Sequence, residues 1–382
     1  MNKFKRIINL NQLVSKKSHF LFGPRGTGKS FLIRENFDKS VLIINLLKSE
    51  EFFDLNLNPE KLRQRIDPLK NKIVIIDEVQ KIPQLLNEVH YLIEEFKINF
   101  LLTGSSTRKL KAANTNMLGG RARKAELFAL TYSEISDFKL ERYLRFGGLP
   151  AIVNSDEPRE DLSAYVGQYL NEEIKLESNI RKIDFFQRFL ELAALYSSET
   201  VNYANISRDI GVSEPTVKSY YQILEDTLIG FQLFPWKKGL SRKSITSSKF
   251  YFFDTGIVHT ILRSPDILDR NSDIFGKTFE QFIAQELRAY LSYRRKDFQL
   301  NFWRNLEKDE VDFIINDEIA IEVKSSKKVK SDHFKGLNKI ITEGQFKKRI
   351  LVSHDPIDRM VNGIQCLYWE SFLSKLWFDE IL

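Results

Sequence analysis

Two groups of residues in this chain are spaced for chemistry on phosphate. The first is Gly-Pro-Arg-Gly-Thr-Gly-Lys-Ser, covering Gly23, Pro24, Arg25, Gly26, Thr27, Gly28, Lys29 and Ser30, with Asp77-Glu78 further along. Gly26 and Gly28 let the backbone wrap a phosphate chain with its N–H groups pointing inward. Lys29 brings a mobile positive charge to the β- and γ-phosphates of ATP, and Ser30 is placed to ligate Mg2+. Asp77 would hold the same ion, directly or through water, and Glu78 would orient and deprotonate an attacking water. The second group lies in and before "INDEIAIEVKSS", Ile315 to Ser326. Glu322 and Lys324 stand one residue apart in a β-like run and so share one face of a strand. A turn at Asn316-Asp317 sets Asp312 close to opposite Glu322, the separation at which two carboxylates share a cation. Each fragment also has an ordinary reading. An acid pair after a strand is often a helix cap, and a Glu-x-Lys on a strand is often a salt pair at a sheet rim.

The elements around these residues fit the first reading. A short apolar strand, His19 to Phe22, precedes the Gly-rich segment, and an apolar-periodic helix starts at Phe31. Ile73 to Ile76 is a β-branched run that reads as a strand buried on both faces, so Asp77-Glu78 emerges at its C-terminal end, where open α/β sheets hold ligands. A further strand is predicted over Ile98 to Ser106. From Phe146-Gly-Gly-Leu-Pro150 to about Glu191 the spacing is helical, with frequent i,i+4 charges and few breakers, which suits a lid. Residues 202–234 then follow the pattern of a helix-turn-helix: one helix ends at Gly211, Ser213-Glu214-Pro215 starts another, and Val217, Tyr220, Tyr221 and Leu224 form its apolar stripe. Two β-rich stretches around "WKKGLSRKSITSSK" make a plausible wing. Lys218, with Lys237, Lys238, Arg242, Lys243 and Lys249 on that hairpin, would meet DNA phosphates rather than read bases; the plain alternative is a winged helix used for packing or subunit contact. Last, Ser272 to Leu291 reads as a helix with Phe279, Phe282, Ile283 and Leu287 inward and Glu280 beside them, followed by three strands, a basic helix and a strand at "KRILVSHD".

The order of "GPRGTGKS", "IIDEVQ", "LLTGSS", "GGR", "LTYSE" and "FGGLP" resembles a family of prokaryotic, archaeal-type AAA+-like ATPases. Its members carry a C-terminal domain of unknown function, DUF4143, that in many cases looks like a degenerate or intact nuclease. The resemblance implies that Ser105, or alternatively Thr103, senses the γ-phosphate, and that Arg121, or alternatively Arg123, reaches a neighbouring subunit's site as an arginine finger. Glu280, Asp312 and Glu322-x-Lys324 in turn resemble the pattern of PD-(D/E)XK nucleases, close in layout to Holliday-junction resolvases. In that chemistry Asp312 and Glu322 hold Mg2+ with help from Glu280, and Lys324 positions or activates the attacking water.

The expected fold class is α/β: a P-loop AAA+-like ATPase core at 1–140, a helical lid or connector at 141–190, a winged helix at 191–262, and a restriction-endonuclease-like α/β domain at 263–382. Such a chain would couple ATP hydrolysis to remodelling or translocation of duplex or branched DNA, largely without sequence preference, with a Mg2+-dependent C-terminal domain that cuts or holds the strand. It would work as a homo-oligomer, a hexamer among the options. The alternative is a nucleotide-dependent oligomerising switch with an inert nuclease-like scaffold. Lys plus Arg number 58 against 51 Asp plus Glu, a net charge of +7 that leans toward a polyanionic partner. A single cysteine, Cys366, excludes an internal disulfide, and five scattered histidines offer no zinc spacing. No apolar run is long enough to span a bilayer and the N-terminus does not read as a signal peptide, so no membrane partner and a cytoplasmic location are expected.

Overall fold

The computed structural model describes residues 3–112, 118–170, 183–236 and 247–382. Five strands, β1 (Ser18–Phe22), β2 (Leu42–Asn45), β3 (Ile73–Asp77), β4 (Asn99–Gly104) and β5 (Ala122–Glu126), form one sheet in the order β2-β3-β4-β1-β5. All its pairings are parallel. β3 lies between β2 and β4, and its Val74, Ile75 and Ile76 are fully buried, as an unbroken β-branched run requires of a strand covered on both faces. This parallel sheet forms the N-terminal part of the molecule. It leaves the Gly23–Gly28 loop at the C-terminal end of a central strand, with the helix Lys29–Asn36 behind it.

The second half is a mixed sheet of eight strands. β6 (Gly230–Pro235), β7 (Lys249–Phe252), β8 (Leu300–Arg304), β9 (Glu310–Ile315), β10 (Ile319–Lys324), β11 (Lys348–Ser353), β12 (Arg359–Val361) and β13 (Ile364–Tyr368) are arranged β12-β13-β11-β10-β9-β8-β6-β7. Asn316 and Asp317 both have positive φ, 50° and 57°, the left-handed central pair of the turn within the three-residue loop, 316–318, between β9 and β10. The helix Asp273–Tyr293, capped by the Ser272 hydroxyl on the Phe275 N–H, buries Phe279, Phe282, Ile283 and Leu287 against this sheet.

Between the sheets, helices Tyr203–Ile210 and Glu214–Asp226 are joined through Gly211, whose φ of 81° ends the first, and Ser213, whose hydroxyl accepts the Thr216 N–H to start the second. The hairpin that follows is not free-standing. β6 pairs antiparallel with β7 but also parallel with β8, so both strands belong to the eight-stranded sheet. The cores cross the expected borders in the same way. Leu140, Tyr143 and Leu144 pack in one cluster with Phe279 and Phe282, and Leu149 and Ile152 in another with Phe189, Tyr221, Phe250 and Phe252. At this junction Gly147 has φ 75°, and a Cβ there would collide with the Asp254 carboxylate. That carboxylate accepts the N–H groups of Gly148 and Gly256 and is buried, which pushes its pKa up to about 6. Among the described residues, no helix is long and apolar enough to cross a membrane.

Candidate functional site

The phosphate loop starts where β1 ends. Gly26 and Gly28 have φ of 82° and 94°, and a Cβ on Gly23 would run into the Leu127 carbonyl, so three of its glycines answer to backbone geometry. Lys29 is 5% exposed, and its Nζ donates to the carbonyls of Gly23 at 2.7 Å and Pro24 at 3.2 Å. The loop therefore folds around its own lysine, at the position from which that ammonium meets phosphate oxygens. The Thr27 hydroxyl donates to the Pro24 carbonyl at 2.8 Å, and the Tyr165 hydroxyl donates to the Arg25 carbonyl at 2.9 Å.

β3 and β4 bring the acids to this loop. The Ser30 hydroxyl donates to Asp77 Oδ2 at 2.8 Å, and the Thr103 hydroxyl donates to the other oxygen of the same carboxylate. The Glu78 N–H donates to Thr103 Oγ1 at 3.1 Å. Glu78 has φ 62°, a left-handed conformation that costs a non-glycine residue about 1 kcal/mol or more and tends to persist where function requires it. Its carboxylate accepts from the Ser105 hydroxyl at 3.1 Å and from the Gln80 side-chain amide, which also reaches Ser105 Oγ at 3.2 Å. Ser30, Asp77, Glu78, Thr103 and Ser105 thus meet in one network, and Gln80 is a member that sequence reasoning left without a role although it stands in the quoted "IIDEVQ". A second unforeseen residue, at the phosphate loop itself, is Arg6. Its guanidinium donates to the Thr27 carbonyl at 3.0 Å, the Phe128 carbonyl at 2.7 Å, Glu134 at 3.0 Å and the Tyr293 hydroxyl at 3.0 Å. No local pattern marks it.

Arg121 and Arg123 sit elsewhere. β5 runs in register with β1, Ser18 beside Ala122 and Phe22 beside Glu126, so both arginines lie at the end of the sheet remote from the phosphate loop. Arg121 is ion-paired with Glu94, and Arg123 is exposed.

In the second half, Glu280, Asp312, Glu322 and Lys324 do come together, but around a residue assigned differently from sequence. Lys249 was expected to meet DNA phosphates on a wing. It is 2% exposed, and its Nζ is 2.9 Å from Glu280 and 3.5 Å from Asp312 and is also paired with Glu310. The correction has a simple cause: pairing of β6 with β8 draws β7 over the carboxylates, so the first residue of β7 points inward. The Tyr251 hydroxyl donates to Glu280 at 2.7 Å, the Val323 N–H donates to Asp312 at 2.8 Å, and Lys324 is paired with Glu322. Glu322 Oε2 is buried without a hydrogen-bond partner among the described residues. Burial, then repulsion from Asp312, holds Glu322 well above the usual carboxylate range. Burial also pushes Glu280 up to about 7, with Lys249 opposing. Burial would lower Lys249, yet the surrounding carboxylates raise it well above its ordinary value. Among the described residues no group of three or more His, Cys, Asp or Glu side chains is arranged to hold a metal ion; the Lys249 ammonium sits between Glu280 and Asp312 instead. Of the other residues expected to touch DNA, Lys218 is exposed, 5.4 Å over the Tyr203 ring, and Lys237, Lys238, Arg242 and Lys243 lie outside the described residues.

Comparisons with known proteins divide the chain in three. Residues 15–136 match an AAA domain, residues 137–267 a domain of unknown function, DUF8612, and residues 275–371 another, DUF4143. An uncharacterized protein of Mycobacterium tuberculosis is 27% identical over 310 residues, 77% of this chain and 66% of that one, so this chain spans just under two thirds of that relative's length. An uncharacterized protein of Methanocaldococcus jannaschii is 24% identical over 82% of this chain and 76% of its own, and one of Haemophilus influenzae 21% identical over 96% and 97%. A solved structure of the replication initiator DnaA bound to AMPPCP and single-stranded DNA aligns with 59% of this chain and 89% of its own at 11% identity, with a TM-score of 0.28, too slight a likeness to carry an argument. The parallel sheet and the loop around Lys29 thus fall within the segment, residues 15–136, that matches an AAA domain, and the carboxylate cluster around Lys249 draws Glu280, Asp312 and Glu322 from the segment, residues 275–371, that matches DUF4143.

Proposed function

We propose that this protein hydrolyses ATP and uses the cycle to act on DNA, with Lys29 and the residues meeting at Asp77 and Glu78 as the working site. The observation that supports it most is the shared network of Ser30, Asp77, Thr103, Glu78 and Ser105 at the ends of β3 and β4. Mg2+ bound with ATP would draw charge from the β- and γ-phosphates, and the Ser30 hydroxyl with the Asp77 carboxylate is a donor set of the oxygen type that ion prefers. Lys29 exchanges the Gly23 and Pro24 carbonyls for phosphate oxygens. Glu78 accepts the proton of the attacking water, and Ser105, bonded to that carboxylate, responds to the γ-phosphate. Arg121 would serve a neighbouring copy as a finger after leaving Glu94, with Arg123 the alternative. Lys218 on the second helix of a winged-helix unit would bear on DNA phosphates.

A second reading is favoured by Lys249: a nuclease-like C-terminal fold whose carboxylates are already neutralised by an internal ammonium serves as scaffold, and the ATPase acts as a nucleotide-dependent switch. In the cutting alternative, Asp312 and Glu322 would hold Mg2+ and Lys324 would position water. ATP turnover measured with single-stranded, duplex and four-way DNA separates these. Stimulation by DNA, with turnover down on the order of 100-fold or more in Lys29→Ala and Glu78→Gln, supports the motor. Turnover indifferent to every DNA form leaves the switch, and turnover untouched by both substitutions ends the ATPase assignment. Mg2+-dependent cleavage lost in Glu322→Ala would restore the nuclease.

A further inference from the structure

Two adjoining clefts open where the AAA-like sheet meets the second half. One, about 310 Å³, is lined by Lys16, Arg123, Arg294 and Arg295 against a single carboxylate, Glu126. The other, about 410 Å³, shares Arg295 and Glu126 and adds Lys124, Arg288 and Lys296, one further acid, Asp297, and the rings of Phe128 and Phe298. Several of these cations are already engaged: Arg288 and Lys124 with Glu126, and Arg294 with Asp379. Among the described residues Arg295 donates to a backbone carbonyl, that of Lys124, at 2.7 Å. Lys16 and Arg123 are exposed, and among the described residues Lys16, Arg123 and Arg295 have no ion-pair partner. The unneutralised charges converge. Next to Arg123 on the sheet is His19, whose pKa is lowered by burial first, against its bond to the Lys17 carbonyl, and then by Arg295 and Arg123. Burial and then Arg123 likewise lower Arg295.

We infer that these clefts form a groove for a single-stranded polynucleotide, its phosphates on Lys16, Arg123 and Arg295 and a base against Phe298. Like charges held together with no ion-pair partner among the described residues favour a polyanion, and neighbouring basic and aromatic pockets, each the size of a single nucleotide, suit an unpaired strand with accessible base faces. A duplex presents no such face. The groove lies apart from Lys218 and adds a second surface to the nucleic-acid half of the reading above, on which it rests.

The test is fluorescence anisotropy with labelled oligo(dT) and oligo(U), which separates DNA from RNA as the source of the strand. Wild type is compared with Lys16→Glu/Arg295→Glu at several salt concentrations. The expected result is binding at least about ten-fold weaker in the double variant, with a salt slope shallower by about two. Retained binding in the double variant overturns the groove while leaving the nucleic-acid reading intact; no binding of any strand by wild type overturns both. Because charge reversal can unsettle the fold, thermal melting accompanies the double variant, and bromodeoxyuridine cross-linking to the wild-type protein gives an independent answer. Cross-links on the peptide carrying Phe298 support the groove, and cross-links confined to other peptides refute it.

Discussion

Lys249 is the residue on which the second half turns. An ammonium among Glu280, Glu310 and Asp312 offsets repulsion between carboxylates that have left water, and removing one partner of a buried set leaves the others uncompensated. Lys249→Met is expected to cost about 3–5 kcal/mol by chemical denaturation. The deficit should be smaller at about pH 5 than at about pH 8, because protonation of the acids relieves the repulsion; an equal loss at both would show that packing of the aliphatic stem dominates. Nothing local in "SSKFYFFD" distinguishes this lysine from the other basic residues of the run. By contrast Lys29 and Ser30 were legible because their spacing and flanking strand and helix belong to one βα unit, and Asp77 because it ends an unbroken β-branched run, whereas Gln80 escaped notice because its role depends on Ser105, which a different strand delivers.

Among the elements, two helix ends show how much the backbone angles of a glycine and its surroundings matter. Gly147 and Gly211 have φ of 75° and 81°, but a Cβ on Gly147 meets the Asp254 carboxylate whereas the nearest atom to one on Gly211 is 3.8 Å away. Gly211→Ala should therefore cost about 1 kcal/mol, the left-handed penalty alone, and Gly147→Ala about 3 kcal/mol or more, with loss of the Asp254 bonds. Similar urea midpoints for the two would contradict this. The β9–β10 turn was readable from Asn316-Asp317 and the register to within one residue; the pairs Ile319–Ile315 to Ile321–Phe313, continued by one residue, set Asp312 opposite Glu322. β2 and β5 were not anticipated. β5, Ala-Arg-Lys-Ala-Glu, is an edge strand with exposed Arg123 and Lys124, so it lacks the apolar run that announced β3.

For the whole molecule, titrating groups of opposite sign shape the pH dependence of stability. Glu286 accepts the Tyr132 N–H and the Trp377 Nε1–H, both at 2.7 Å, yet burial pushes it up to about 8, and Glu280 is at about 7. The folded protein thus binds more protons at these acids than the unfolded chain between about pH 4.5 and 8, and stability falls as pH rises there. His259 and His354 are lowered by burial to about 3 and about 4, so they act the other way below about pH 6.5. The two effects oppose each other up to about pH 6.5, and above it the acids act without the histidines. Melting temperatures should show a broad maximum between about pH 5 and 6.5 and a decline toward pH 8, shallower in Glu286→Gln. A melting temperature that rises through that upper range would contradict the buried acids.

The sharing of one sheet by β6, β7 and β8 has a practical consequence for anyone dissecting the protein. A fragment beginning at residue 263 would reach the test tube with the flank of β8 stripped of its parallel neighbour, and with Glu280, Glu310 and Asp312 deprived of the ammonium that separates them. A bare strand edge beside crowded acids invites chains to zip onto one another. Excised at that border the piece should precipitate, whereas one starting ahead of residue 230 keeps its own cover.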